Sequence, residues 1–417
     1  MMDSLLDNIG RQEQDLVSLC RRLIQIPSEN PPGDVRAIAA FVAETLASWK
    51  APPVWYEPAP GRVNLVVSAG PDHGQALIFN GHLDVVPAGD IGRWSHGPFA
   101  GDVSGGRLWG RGAVDMKGGV ASLMAAFRAL AATDLPGRVI LTLVSDEETG
   151  GRWGTRWLVE QAGLRGGGAV IAEPSGPGIA TIGQKGALWL RVKSTGTAAH
   201  GSLSPYVGAN AILRLVEALP IFTSLAGRAG DFPADLRGIL TRSKARMEAL
   251  AGAAATQALD HVTVNVGTLR GGTKVNVVPD EAVAEVDIRV PLGCSAAAIR
   301  AEVEEHLAAR NLVLEDCNIS EPNYTPPSAT IARALEHAVE VVAGRTPEFI
   351  LQWATSDARH FRAVGIPVVQ YGPWGQGIHG DDEAVHVEHL IHCAKVYAAL
   401  GSIFFAPAGQ ANHPPSS

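Results

Sequence analysis

Seven residues spread along most of the chain have the types needed to hold metal ions and move a proton: His82, Asp84, Asp115, Glu147, Glu148, Glu173 and His379. Two imidazoles and three carboxylates (His82, Asp115, Glu148, Glu173, His379) can hold two divalent ions if one carboxylate bridges. Zinc accepts nitrogen and oxygen ligands at about 2.0–2.2 Å and keeps an open position when catalytic. Two metals about 3.5–4 Å apart can activate a water and polarise a carbonyl. Glu147 and Glu148 are adjacent, and neighbouring carboxylates do not readily bind one ion in the same manner. One as ligand and one as general base is the economical division, the base taking a proton from water and passing it to a leaving amine. Asp84 stands two residues from His82, a natural place for a carboxylate that fixes an imidazole's tautomer.

The sequence around these residues implies how they are positioned. The apolar run Ala76 to Phe79 ends in NGHLDVVP at 80–87, which carries His82 and Asp84. Arg138 to Val144 runs into Asp146-Glu147-Glu148, and Ala169 to Ala172 runs into Glu173. Polar groups at the end of a buried strand cost stability unless they have partners. Three strands thus deliver acids or imidazole at their C-terminal ends, where open α/β sheets place their ligand crevice. Asp115 closes a passage rich in Gly, Pro and Trp (86–114) that reads as irregular, and it precedes a predicted helix at 116–132.

Apolar spacing predicts one helix over 4–25 and a second over 35–49, then strands near 63–69 and 76–80. Strand 138–144, helix 152–163 and strand 169–173 follow the helix at 116–132, an alternation that argues a mixed, mainly parallel sheet with helices on both faces. The rhythm changes after Pro174. Strand 186–196, helix 208–220, strands 261–269 and 280–290, helix 295–309 and strand 311–319 give β-α-β-β-α-β, the ferredoxin-like α+β order. An Ala-rich segment at 223–260, helical in part, interrupts it. The α/β rhythm returns with helix 328–343, strands 348–352 and 367–371, and a closing helix from about 386. The expectation is a first domain in two parts, 1–180 and 323–417, interrupted by a second at 181–322, with a disordered tail from about 406.

The length exceeds one ordinary core, which agrees with two domains. The net charge is −8 with no basic stretch to offset it, which argues against nucleic acid as a partner. Cys20, Cys294, Cys317 and Cys393 form no CxxC pair. The N-terminal stretch is charged and periodic, without the apolar core of a signal peptide or membrane span. A cytoplasmic protein with no membrane partner is the expectation.

The segments GHLDVVP, GRGAVDMKGG, SDEETGG, AEP and IHGDDE, in that order, resemble the signature blocks of one family. It is the zinc-dependent amidohydrolases and peptidases of acetylornithine deacetylase, succinyl-diaminopimelate desuccinylase, aminoacylase and the glutamate-releasing carboxypeptidases. The resemblance covers nearly the whole chain. It implies that His82, Asp115 and Glu173 bind one zinc and that Asp115, Glu148 and His379 bind the other, with Asp115 bridging. It implies Glu147 as general base, Asp84 as the residue orienting the histidine, and an inserted domain that lids the cleft and makes a homodimer. Within AAHGSLSP, His200 would reach a neighbouring subunit's site and stabilise the oxyanion. Asn276 and Arg289 would face the substrate, Arg289 gripping a carboxylate. Thr355 and Ser356 belong to TSDARHF, which resembles a substrate-side loop of the desuccinylase-like members. Relatives often carry Gly-Gly before the Thr, where this chain has Trp353 and Ala354.

Each residue taken singly also has a blander reading, since buried polar groups are usually just paired. His386, His389 and His392 recur at i, i+3 and i+6 on a predicted helix and imitate a metal stripe. They read as a helix face, because no strand end presents them. The first expectation is therefore a two-zinc hydrolase of a small, carboxylate-bearing N-acyl amino acid or similar amide, with cobalt or manganese as possible substitutes. A metallo-dipeptidase or carboxypeptidase of the same family is the alternative. A non-catalytic metal-containing binding protein is disfavoured, because it has no use for Glu147.

Overall fold

The computed structural model describes residues 2–405 and all their side chains except those of Asp316 and Cys317. The tail expected from about 406 lies outside the described residues. The chain divides into two compact units, one formed by 1–182, 325–349 and 356–417, the other by 183–324 and 350–355.

The first unit is built on a mixed sheet. Its strands lie in the order Val54–Ala59, Arg62–Ala69, Arg138–Val144, Ala76–His82, Gly168–Ile171, Val368–Gln370 and Ile179–Gln184. From Arg138–Val144 to Val368–Gln370 the neighbours are parallel, and the pairings on either side are antiparallel. The central strand Ala76–His82 is buried along almost its whole length, so it reads as a continuous apolar run rather than an alternation. Successive side chains of a strand point to opposite faces. Phe79 meets Tyr397 of the helix Val387–Ile403, with ring centroids 6.0 Å apart, while Asn80 donates to Thr155 Oγ1 at the start of the helix Thr155–Glu160. Helices therefore cover both faces.

The second unit carries a four-stranded antiparallel sheet in the order Thr263–Gly271, Glu281–Val290, Gly186–Thr195, Leu312–Ser320. The chain passes through it as strand, helix, strand, strand, helix, strand, the helices being Ala211–Leu225 and Ala296–Ala308. Leu188, Leu190 and Val192 form one core with Leu215, Phe222, Ile299 and Val303. Arg191 and Lys193, one residue out of phase, make ion pairs on the opposite face. Within 223–260 lies the helix Arg237–Ala251, whose Ser243 Oγ accepts from Leu351 N.

Several local expectations change. The single helix over 4–25 is two, Met2–Arg11 and Glu13–Ile24, broken at Gln12. Both halves are amphipathic, so the break leaves no mark in the periodicity. The passage 86–114 holds short strands at Val103–Ser104 and Arg107–Trp109, the latter paired with Ala384–His386. Strands this short carry no periodicity, and their partner is remote in sequence. Val54–Ala59 and Ile179–Gln184 are further strands that the pattern did not reveal. The helix expected at 152–163 is only Thr155–Glu160. Among the described residues no helix is long and apolar enough to cross a membrane.

Candidate metal centre

Parallel strands of the first unit end together and bring the acids and imidazoles with them. His82 is the last residue of Ala76–His82. Arg138–Val144 turns through Asp146, at φ +72°, into the short helical turn Glu147–Thr149. Gly168–Ile171 leads through Ala172 to Glu173. The helix Gly118–Ala131 starts against that last strand's end: a Cβ on Gly119 would lie 2.4 Å from the Ala172 carbonyl oxygen. Asp115 stands just before this helix in non-helical backbone (φ −120°, ψ 94°). His379 comes from a loop, at φ +60°, where only a few per cent of non-glycine residues are found.

The two oxygens of Asp115 face the two imidazoles. Oδ1 lies 3.1 Å from His82 Nε2, and Oδ2 lies 3.3 Å from His379 Nε2. His82 Nε2 is also 3.9 Å from Glu173 Oε1, and His379 Nε2 is 3.4 Å from Glu148 Oε2. Ligand atoms of His82, Asp115 and Glu148 lie within 4.8 Å of one another, as do those of His82, Glu147 and Glu173. All five expected ligands and the expected base thus meet in one cluster.

The electrostatics are those of a site short of positive charge. Burial, then the charge of Glu173, raises Glu147 well above its ordinary value. Burial raises Glu148, and burial with the charge of Asp115 lifts Glu173 to about 8. Burial would lower His82, but the hydrogen bond and charge of Asp115, with Glu173 and Asp84, hold it well above the usual imidazole range. Hydrogen bonds to Asp115 and Glu148 lift His379 to about 10. Asp115 itself is held below the ordinary carboxylate range: burial opposes this, but His379 and His82 overcome it. Glu148 Oε1 is buried without a hydrogen-bond partner among the described residues. Four crowded carboxylates, two imidazoles and an orphaned buried oxygen fit divalent cations, which would relieve the repulsion and use the free oxygen.

Asp84 works differently from the expectation. His82 Nδ1 donates to the backbone carbonyl of Asp84 at 2.8 Å, and the carboxylate stands 3.7 Å away. The carbonyl therefore sets the tautomer. The carboxylate instead accepts from the backbone N–H groups of Glu147 and Glu148, both at 3.2 Å, and from Asn30 Nδ2 at 2.9 Å. It anchors the turn that presents the general-base candidate.

Sequence reasoning passed over the residues behind that turn. Asn30 Nδ2 also donates to Thr149 Oγ1, which donates to Asp146 Oδ1. Asp357 and His360 pack against Gly151, where a Cβ would lie 2.5 Å from Asp357 Oδ1. Burial lifts Asp357 to about 6. Lys117 is fully buried, donates to the Ile26 carbonyl, and is lowered by burial to about 7. No residue spacing signals any of these contacts.

The other candidates have separate surroundings. His200 Nδ1 bonds Ser202 Oγ at 2.7 Å, and the loop of Asn276 adjoins it, the Asn276 carbonyl accepting from Gly201 N. Arg289 Nε donates to both oxygens of Asp287 at 2.8 and 3.1 Å, and its Nη1 reaches Thr355 Oγ1 at 3.2 Å. Its guanidinium lies over Trp189. Arg289 thus already holds one carboxylate. Ser356 is buried, and its hydroxyl accepts from Ala358 N at 3.2 Å. Of the three histidines expected on one helix face, His386 instead ends the strand Ala384–His386 and only His389 and His392 lie in the helix. His389 Nδ1 bonds the Trp374 carbonyl and His392 Nε2 bonds the Tyr371 hydroxyl, and none of the three joins a metal-type cluster among the described residues.

Residues 78–402 match the model of peptidase family M20/M25/M40. Succinyl-diaminopimelate desuccinylase of Rhodospirillum centenum is 32% identical over 410 residues, covering 94% of this chain and 98% of that protein. Among solved structures, the M20 family metallo-carboxypeptidase Sso-CP2 of Sulfolobus solfataricus superposes with a TM-score of 0.80 at 18% identity, over 94% of this chain and 99% of that one. The Bacillus subtilis YXEP protein, a dinuclear metal binding peptidase from the M20 family, gives a TM-score of 0.62 at 15% identity, over 94% and 98%.

Proposed function

The chain belongs to peptidase family M20/M25/M40 and is a hydrolase of amide bonds, and from that premise we propose that it is a two-zinc deacylase of a small, carboxylate-bearing N-acyl amino acid or related amide. The observation that carries this reading is Asp115, whose two oxygens each face a different imidazole while Glu147 stands beside Glu148 in the same cluster. His82, Asp115 and Glu173 would hold one ion, and Asp115, Glu148 and His379 the other. Bound divalent metal supplies Lewis acidity, which polarises the scissile carbonyl and acidifies water. Cobalt or manganese would serve in place of zinc, since nitrogen and oxygen sites discriminate poorly by affinity.

Glu147 removes a proton from the attacking water as its oxygen bonds to the carbonyl carbon. It then gives that proton to the nitrogen as the C–N bond breaks, leaving a carboxylic acid and an amine. Asp84 holds Glu147 for this work through the backbone N–H. The second unit serves as the ferredoxin-like lid and homodimer contact, with His200 stabilising the oxyanion of a neighbouring subunit. Arg289 pairs with the substrate carboxylate, and Asn276, Thr355 and Ser356 flank the substrate. The enzyme works in the cytoplasm.

The desuccinylase relative supports a dicarboxylic acyl group. The likeness to a metallo-carboxypeptidase supports a second reading, cleavage of a dipeptide or a C-terminal residue. A panel of N-succinyl and N-acetyl amino acids set against dipeptides tests the two. The proposal expects higher kcat/KM on the acylated set, abolition by a chelator and recovery with zinc. Faster cleavage of dipeptides would overturn the deacylase reading, and chelator-resistant turnover would overturn the metal mechanism.

A further inference from the structure

Glu383 follows the candidate ligand His379 closely in the chain, yet it makes no contact with either imidazole among the described hydrogen bonds and ion pairs. Its side chain is 1% exposed. Arg107–Trp109 pairs with Ala384–His386 in a short antiparallel ladder, with Trp109 opposite Ala384. Beyond Trp109 the ladder ends, but the bonding continues on one residue. Gly110 N donates to the Glu383 carbonyl at 2.8 Å. The Glu383 carboxylate then takes the next donors: Oε2 accepts from Arg111 Nη1 at 2.7 Å and Gly112 N at 3.0 Å, and Oε1 accepts from Val114 N at 2.8 Å and Asp115 N at 3.1 Å.

A side chain thus substitutes for a strand where Gly112, at φ +80°, takes the chain out of extended geometry. Hydrogen bonds to an ionised carboxylate are roughly twice as strong as neutral ones. The Arg111 guanidinium, buried over Trp94 at 5.1 Å, balances the charge. One carboxylate therefore ties the main chain at Asp115 to the segment that carries His379, and those two side chains meet at 3.3 Å.

We propose that Glu383 is a positioning residue of the metal centre: by gripping the N–H groups of Gly112, Val114 and Asp115 from the His379 segment, it fixes Asp115 and His379 in the one arrangement where they share a cation. This rests on the reading of the cluster as a metal site. Glu383 binds no metal and moves no proton. It acts through the backbone of one ligand and the loop of the other.

The test uses the full chain with Glu383→Gln, and with Thr325→Val as a folding control. Thr325 is buried in the same unit and bonds Val368 through its hydroxyl, away from the cluster. Zinc affinity is measured by competition with a chromophoric chelator, and the visible spectrum is recorded after cobalt loading. Glu383→Gln is expected to weaken zinc about 10–100-fold, as loss of groups that orient ligands typically does, and to shift the cobalt bands. Its kcat is expected to fall more than its KM moves. Thr325→Val is expected to lower the thermal midpoint while keeping zinc affinity and the cobalt spectrum. Wild-type affinity and spectrum in Glu383→Gln would overturn the proposal, as would an affinity loss no greater than that of the control at matched stability. A wild-type chain that binds neither zinc nor cobalt would instead overturn the metal-site reading, and that is seen before any variant is made.

Discussion

Two groups of acidic residues in this molecule behave in opposite ways. On the outer face of the second unit's sheet, Glu281, Glu285 and Glu315 alternate with Arg191 and Lys193 at 2.8–3.6 Å. Hydrogen bonds to Lys193 and Thr268 draw Glu281 and Glu285 below their ordinary values. In the first unit, Glu147, Glu148 and Glu173 are half-buried together and pushed up by desolvation, and the nearest imidazoles do not balance them. The same residue type is a solvated ladder in one place and an unsatisfied cluster in the other. Exposed ion pairs between neighbours contribute little. A desolvated excess of one charge is tolerated when a ligand compensates it, and this contrast is what supports the proposal that the second group binds metal.

The sharpest way to break the contrast is Glu147→Gln. It should lower kcat by about 10²–10⁴-fold, the usual worth of a general base, with metal content by elemental analysis unchanged. Near-normal turnover would remove Glu147 from the mechanism. Next comes metal removal: saturating zinc at about 100 times its Kd should stabilise the folded chain by about 2.7 kcal/mol over the chelated form, read from denaturant midpoints. Identical midpoints would mean that the clustered acids await no cation.

Asp84→Ala should cost about 1–3 kcal/mol, because it strands two N–H groups and the amide of Asn30, and should slow turnover with it. A variant with unchanged midpoint and kcat would show that the Glu147 turn holds itself.

A pH series sharpens the comparison further. In metal-free protein the folded chain binds Glu173 and His379 protons more tightly than the unfolded chain, with folded values near 8 and 10. Stability from these groups is fully present at low pH and is lost as pH rises through that range. Chelated protein should therefore lose thermal stability between about pH 5 and pH 10, and zinc-loaded protein should not show this slope. The smallest effect is expected from Glu285→Gln on the exposed ladder, which should leave turnover and thermal midpoint where they were. A large loss there would erase the distinction between the two groups.

How much of this was legible in the sequence differs from residue to residue. His82, Glu148 and Glu173 could be found because an apolar strand that ends abruptly in acids or imidazole declares a requirement for a partner. His379 could not be placed that way: its loop has no periodicity, so residue type alone made it a candidate, and the resemblance of IHGDDE to a family block set it apart from His386, His389 and His392. The sequence places Asp84 beside His82, but it does not tell that the Asp84 carbonyl lies closer to the ring than the carboxylate. The short strands at Val103–Ser104 and Arg107–Trp109 went unseen because two or three residues establish no period.

By itself the sequence determined the α/β rhythm, the β-α-β-β-α-β order of the interrupting segment and the set of side chains able to hold metal. These follow from hydrophobic period and residue chemistry, which are local properties. Only the tertiary structure decided that both oxygens of Asp115 meet separate imidazoles, that Asp84 grips the Glu147 turn, and that Glu383 extends a ladder onto the remote loop that carries Asp115. Such facts depend on where remote backbone donors come to rest, and a donor that every residue but proline carries leaves no trace in the identity of the residue that supplies it.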